Sequence, residues 1–365
     1  MSRMSTQMLK TALSTAQLFG ADRIPPAATG TVGVMFMLHQ VSPEPVRPFE
    51  PNRILRITPE FLRQAIQEAR KAGFECVSSD EACRRLSEIQ RGNSVVPFAC
   101  FTLDDGYRDN ATCAYPVFRE LNVPFTVFVA SDFCDGNAQL WWLALEEILR
   151  CRDEIAFPDT AGDRVFTLQS VAAKNAAFHE IYWALRAWPE ADARAWIIAQ
   201  GAACGFDACH YGADQLLTWD EIRQLNRDPL VTIGAHTVRH YSLAKLSPDE
   251  VHTEIADSVA RVSEVLGAPC EHFSYPYGDA SSAGPRDFEI ARGLGLKSAV
   301  TTRKGLISNR KPIDPLAMPR LSLNGDFQDR KHLAVLLRGL PLAALDAARR
   351  LGLALESGAP RPSSA

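Results

Sequence analysis

No two of the nine cysteines form a C-x-x-C pair, so a cysteine-ligated zinc site is not expected. The cysteines are odd in number and scattered from Cys76 to Cys270, which suits a reducing compartment better than a disulfide scaffold. A basic excess is missing as well. The chain carries 39 Lys and Arg against 43 Asp and Glu, a net charge of -4 at pH 7, and nothing in that balance points to a nucleic-acid polymer as partner. No apolar run is long enough to span a bilayer. Residues 8–19 are apolar at helical spacing, but Lys10, Thr11, Ser14 and Thr15 interrupt them, so they do not read as a secretory signal. There is no internal repeat. These absences lead to the expectation of a cytoplasmic protein. What the chain has in quantity is apolar side chains, 46% of 365 residues, ample for one large α/β domain or two smaller ones.

Residues 1–30 predict a poorly anchored helix followed by a Pro/Gly linker. Residues 32–38 are an apolar run that ends at His39 and is bounded by turn residues, which reads as a buried strand. Several prolines mark residues 41–57 as loop. Thr58-Pro59-Glu60 is a helix start, with a Thr cap and Pro at the first helical position, and that helix stops at Gly73. A strand at 74–77, a helix from 79 to about 90, a strand at 95–103, a helix at 110–121 and a strand at 124–130 follow. Apolar strands alternating with helices imply a parallel sheet with helices outside it. The alternation breaks from about 136 to 226, a mostly helical stretch rich in Ala and Trp, read here as an insertion. It resumes with a strand at 230–234, a capped helix at 247–266, a strand at 272–275, a helix at 286–293 and a strand at 298–301. The catalytic region is thus expected to span 31–330. The tail, 331–365, is apolar but interrupted by Arg338, Pro341, Asp346, Arg349 and Arg350. It reads as an amphipathic helix or helix pair, packed on the protein's own body or lying on a membrane surface.

Three features carry chemistry, each at the C-terminal end of an expected strand, where α/β folds place their sites. The first is Thr102-Leu103-Asp104-Asp105-Gly106-Tyr107. Two adjacent carboxylates at a strand end are unfavourable unless positive charge sits beside them, and a metal would supply it. One carboxylate could then bind the ion while the other acts as a base; a plain Asp-Asp-Gly turn is the bland alternative. The second is His236-Thr237-Val238-Arg239-His240. Histidines at i and i+4 on one face of a helical turn suit two imidazoles on one divalent ion. With an Asp from a neighbouring strand they would leave a coordination position open for water. The third is Ser274-Tyr275-Pro276-Tyr277-Gly278, where Pro and Gly fix a tight turn whose backbone N–H groups could hold an oxyanion; a structural turn reads equally well.

Taken together, these motifs resemble those of the polysaccharide deacetylase family, carbohydrate esterase family 4, with the NodB homology fold. Thr-Leu-Asp-Asp-Gly-Tyr is similar to its first motif, with Leu103 in place of the usual Phe. His-Thr-x-x-His is similar to the second. Tyr-Pro-Tyr-Gly is similar to the third in the branch that includes poly-N-acetylglucosamine deacetylases. The resemblance covers about 32–134 and 228–325. It implies an α/β fold, a distorted (β/α) barrel of about seven strands, here with a large helical insertion. It also implies a general base at Asp104, metal ligands at Asp105, His236 and His240, and an oxyanion donor at the Tyr277 backbone.

Two departures stand out. The Arg that usually opens the third motif is Ser274 here, and no late His follows the last strands except His332, in an expected surface helix. The branch resemblance offers replacements. Met37-Leu38-His39-Gln40-Val41 is similar to its Tyr-His-x-Val signature, which implies His39 as general acid. Met318-Pro319-Arg320 is similar to a late Arg in the same branch, which implies that Arg320 orients Asp104. The implied cofactor is one divalent ion, zinc first, with cobalt, nickel or iron as alternatives.

The expected reaction is removal of an acetyl group from an N-acetylated amino sugar, lipid-linked or nucleotide-linked, in bacterial exopolysaccharide assembly. The terminal helices would make peripheral contact with the inner face of the membrane. An O-acetyl esterase acting on a polysaccharide, a cyclic-amide or formyl hydrolase and a non-catalytic glycan-binding protein are the competing readings. Tyr107, Tyr275, Trp141 and Trp142 are the candidates for sugar contact, with core packing as the alternative for the tryptophans. Tyr182, Trp183 and Trp188 read as helix packing.

Overall fold

Seven segments, the first three of them nearly continuous apolar runs, become parallel strands: β1 (Thr31–Leu38), β2 (Phe98–Leu103), β3 (Phe125–Val129), β4 (Val231–Ala235), β5 (His272–Ser274), β6 (Ser298–Lys304) and β7 (Met318–Ser322). The computed structural model describes residues 3–158 and 162–341. Each strand pairs in parallel with the next, β2 with β3, β3 with β4 and so on to β7. The circle closes through β1, which pairs in parallel with β7 on one side and with β2, Gly33 opposite Phe98 through Leu38 opposite Leu103, on the other. The result is a closed barrel of seven parallel strands, as the resemblance implied. Two short strands flank it, Ile307–Ser308 antiparallel to β1 and Glu75–Cys76 parallel to β2.

Alternation along the strands divides the core in two. Val34 and Phe36 of β1, Ala99, Phe101 and Leu103 of β2, and Phe125, Val127 and Val129 of β3 share one cluster with residues of the surrounding helices. Met35, Phe98, Cys100, Phe128, Val300 and Met318 form a second, smaller cluster on the inner face. This is the period of two expected when both faces of a sheet are buried. The outer helices include α1 (Arg3–Leu18), α2 (Pro59–Lys71), α3 (Ser79–Gln90) and α4 (Tyr115–Glu120). Thr58 caps α2 by accepting the Phe61 N–H, as its sequence predicts. A single turn of π-helix, Asn110–Ala114, leads into α4.

The insertion supplies α5 (Trp141–Cys151), α6 (Val171–Ala187) and α7 (Glu190–Ala203), packed about a core of their own. After the short helix Trp219–Leu225 and strand β4, the capped helix Pro248–Leu266 returns the chain to the barrel. A capping box joins Ser247 and Glu250 there.

Several expectations are corrected. The insertion also holds a two-stranded hairpin, Glu154–Phe157 with Arg164–Thr167. The sequence pattern does not mark strand β7, because Pro319 and Arg320 interrupt its apolar run, yet β7 is the strand that closes the barrel. Helix α1 is anchored: Leu13 is buried, and the Ser14 hydroxyl lies 2.8 Å from His332 Nε2. His332 sits in the helix Arg330–Leu336 as expected, but it is buried and not on the surface. Most of the expected C-terminal amphipathic segment, from residue 342 onward, lies outside the described residues.

Packing within the barrel is tight at Gly234 of β4. A Cβ there would stand 2.5 Å from the Phe128 ring and 2.8 Å from the His272 carbonyl oxygen. Gly234→Ala is therefore expected to lower stability by about 1–3 kcal/mol, seen as a reduced thermal unfolding midpoint. Gly293→Ala, where a Cβ meets nothing within 4 Å, should leave the midpoint unchanged or slightly raised.

Candidate active site and metal centre

The C-terminal ends of the strands carry the polar residues. Asp104 and Asp105 follow β2, His236 follows β4, Tyr275 to Gly278 follow β5, and His39 follows β1. Among the described residues five non-glycine residues have positive φ, and four of them are here: Asp105 (73°), Thr237 (65°), His240 (57°) and Tyr277 (59°). Backbone held in this region clusters at functional sites because the surroundings must enforce it.

The two histidines do not lie on a helical turn. Residues 236–240 form an irregular loop in which Thr237 and His240 take left-handed conformations. The Thr237 hydroxyl accepts the His240 N–H at 3.0 Å. Glu254, buried in the following helix, accepts the N–H groups of Val238 at 3.0 Å and Arg239 at 2.9 Å. This folding brings both imidazoles to one point. Asp105 Oδ1 stands 3.3 Å from His236 Nε2 and 3.2 Å from His240 Nε2, with all three side chains buried.

A cation fits that donor set. His236 Nδ1 donates to the Ser274 carbonyl at 2.6 Å, which leaves the Nε2 lone pair facing Asp105. Asp105 Oδ1 is buried without a hydrogen-bond partner. Burial lowers the His240 pKa and so favours its neutral, ligating form. Burial alone would raise the Asp105 pKa, but His236 and His240 more than reverse this and hold it well below the carboxylate range. One carboxylate oxygen and two imidazole nitrogens are the donors of a catalytic zinc-type site that keeps a position open.

Asp104 has a different partner. Arg320, buried inside the barrel on β7, grips it with two bonds, Nη1 to Oδ1 at 2.8 Å and Nη2 to Oδ2 at 2.6 Å. The same guanidinium donates to the Thr301 carbonyl at 2.9 Å, the Thr102 hydroxyl at 2.9 Å and the Ser274 hydroxyl at 3.2 Å. Burial raises the Asp104 pKa, and the Arg320 charge and hydrogen bonds outweigh it, so Asp104 stays ionised. Ser274, where the resemblance leads one to expect Arg, accepts instead from an Arg supplied by another strand.

These groups open into a cavity of about 750 Å3 that reaches from the metal ligands, Asp104, His39 and Tyr277 to helix α6 and the loop 47–55. His39 lines it, and the buried Asn110 holds the His39 carbonyl through its Nδ2 at 2.7 Å. Among the described residues, no acceptor takes the Tyr277 N–H. Of the four sugar-contact candidates only Trp142 lines the cavity, its Nε1 donating to the buried Tyr107 hydroxyl at 3.1 Å. Trp141 donates instead to the Tyr277 hydroxyl at 2.9 Å. Tyr275 turns into the core and gives its hydroxyl proton to the Leu316 carbonyl at 2.9 Å.

Sequence reasoning missed the face of α6. Asn175, His179, Tyr182, Trp183 and Arg186 line the cavity, and Tyr182 and Trp183 are only half-buried, so they are not simple helix packing. Their helical spacing opposite buried Ala177, Ile181 and Leu185 was the available signal.

Residues 166–298 match the family model described as polysaccharide deacetylase. That span includes the histidine loop and the Tyr-Pro-Tyr-Gly turn, while Asp104 and Asp105 lie before it. None of the curated proteins matches the chain. Among solved structures the fold is similar to the deacetylase PplD of Streptococcus pyogenes in complex with acetate, at 18% identity and a TM-score of 0.54, covering 82% of this chain and 95% of that one. It is likewise similar to IcaB from Ammonifex degensii, at 20% identity and a TM-score of 0.52, covering 85% of this chain and 98% of that one.

Arg320→Met would leave Asp104 buried without its cation and should cost about 3–5 kcal/mol in denaturant unfolding. Adding Asp104→Asn to that variant removes the stranded charge. The double variant is expected to lose less than the sum of the two single losses in a double-mutant cycle.

Proposed function

We propose that this chain, whose motifs and barrel are those of the polysaccharide deacetylases, hydrolyses the acetamide group of an N-acetylated amino sugar with one divalent ion held by Asp105, His236 and His240. The observation that carries this reading is the buried Asp-His-His cluster, with its orphaned carboxylate oxygen, beside an Asp104 that Arg320 keeps ionised. When bound, the ion supplies Lewis-acid charge at the acetyl carbonyl and at the attacking water. Its nitrogen-rich donor set favours zinc, with cobalt, nickel and iron as substitutes.

The chain's own residues do the rest. Asp104 takes the proton of the attacking water, and Arg320 holds both carboxylate oxygens so that the base keeps one orientation. The Tyr277 N–H donates to the oxyanion of the tetrahedral intermediate. His39, on the same cavity, gives a proton to the departing amine, so acetate and a free amino sugar leave. Use of His39 and Arg320 in these roles would place the chain with the Tyr-Pro-Tyr-Gly branch. The substrate is an amino sugar linked to a lipid or nucleotide carrier, met at the inner face of a membrane. One feature supports that setting: Leu18 at the end of α1 and Phe19 after it are both exposed.

Acetate release from N-acetylated and O-acetylated sugars, with metal stripped and then restored, tests the reading. Release is expected from an N-acetylated member only with metal present and to vanish in Asp104→Asn. Failure to bind any divalent ion would overturn the proposal, and release from O-acetylated members alone would favour the esterase. His39→Gln should lower deacetylation of an N-acetyl sugar by about 10²–10⁴. It should scarcely affect hydrolysis of 4-nitrophenyl acetate, whose leaving group needs no proton. Equal losses on both substrates would argue against His39 as general acid.

A further inference from the structure

We propose that Arg186 and Trp141, both in the helical insertion, are positioning residues for the oxyanion donor: they hold the ring of Tyr277, and through it the backbone N–H presented to the cleft. The proposal rests on the deacetylase reading above and deepens it. Tyr277 has φ 59°, a conformation that a residue with a side chain keeps only when its surroundings impose it. Its carbonyl end is fixed by the barrel, where the Thr302 hydroxyl donates to Tyr277 O at 2.5 Å and the Thr302 N–H donates to Gly278 O at 3.1 Å.

The other end is fixed by the insertion. Trp141 Nε1 on α5 donates to the Tyr277 hydroxyl at 2.9 Å. The Arg186 guanidinium on α6 lies over the Tyr277 ring, 3.8 Å from its centroid.

Arg186 is itself held. Its Nη2 donates to Asp279 Oδ2 at 3.2 Å and to the Ser282 hydroxyl at 2.7 Å, so one side chain grips both the ring and the loop two residues beyond it. Asp279 in turn accepts from the Ser281 N–H and the hydroxyls of Ser281 and Ser282, which makes this loop a single unit. The two supports also meet each other, Trp141 stacking on Tyr182 at 5.0 Å, one helical turn before Arg186. The Tyr277 ring stands edge-on to the His240 imidazole at 4.9 Å, so the same clamp sets the donor relative to a metal ligand. A donor displaced by a fraction of an ångström loses stabilisation that exists only in the transition state, so the effect belongs in kcat.

The test uses the full chain with metal restored and 4-nitrophenyl acetate as probe. Its hydrolysis forms the same tetrahedral oxyanion and needs no sugar contact. Arg186→Met and Trp141→Phe are expected to lower kcat by about ten-fold or more with KM little changed. Arg186→Lys, which keeps the charge near Asp279 and the ring, should recover part of the loss. Metal content of Trp141→Phe should match the parent protein, with a lowered unfolding midpoint, because the change removes the Nε1 donor together with part of a buried ring stacked on Tyr182. If Arg186→Met fails to fold, Trp141→Phe and Arg186→Lys decide. Unchanged kcat in the folded variants, or a change confined to KM, would overturn the proposal while leaving the deacetylase reading intact. A parent protein inactive on this ester and on N-acetylated sugars alike would overturn both.

Discussion

Two adjacent carboxylates are buried at the end of one strand, and the surrounding structure must supply their countercharge. Asp104 and Asp105 are 2% and 3% exposed. An unpaired charge at that depth costs several kcal/mol even after relaxation. The structure answers each separately. Asp104 receives a guanidinium from inside the barrel, and Asp105 receives two imidazoles, those of His236 and His240. Neither answer is local. Arg320 is 216 residues from Asp104 in sequence, and only a closed circle, with β7 joined to β1 and β1 to β2, brings the guanidinium beneath the carboxylate. The barrel is thus what lets the two carboxylates differ, one gripped by a guanidinium and the other facing two imidazoles.

The exchange at Ser274 shows the same constraint acting on sequence. A cation beside the buried Asp104 carboxylate is required, but the strand that provides it is not fixed. Ser274 is too short to reach Asp104 as an Arg would, and its hydroxyl instead becomes an acceptor for Arg320. The inward position on β7 serves because Arg320 shares the barrel interior with Thr102 and Thr301, each of which accepts one of its N–H groups. A buried guanidinium with this many acceptors avoids the desolvation penalty that makes lone buried cations rare.

The same division between local and distant contacts governs what is legible in the sequence. Strand ends, the Asp-Asp pair and the two histidines were legible because each depends on short-range pattern: apolar runs, caps and turn residues. The helical geometry assigned to residues 236–240 was not, because Glu254 and the Thr237 hydroxyl override i,i+4 spacing with a loop held from another helix. Strand β7 is hidden by Pro319, whose missing N–H is tolerated because the register with β6 shifts there, between Met318 opposite Val300 and Arg320 opposite Lys304. Tyr275 could not be separated from Tyr277 by sequence, since both flank one proline. Only the strand register and the +59° φ of Tyr277 send one ring to the core and the other to the cleft.

The insertion is where pattern and function part most. As a break in the strand alternation it reads as an appendage with a core of its own, and it has one. Yet its α6 face and Trp142 form much of the cavity wall, and Asn52, in the facing loop, is tied to α5 by bonds to Glu146 and the Trp142 carbonyl. Walls of this kind do more than shape a pocket. A charged centre at an open barrel mouth would face bulk water, where the fields of Asp104, Asp105 and Arg320 are strongly screened. Walling it with Trp142 and the aromatic face of α6 reduces that screening, so the same few groups act more strongly on whatever the cavity holds. The barrel supplies the charges and the insertion supplies the medium in which they act, which is why an element outside the alternating fold belongs to the chemistry of the site.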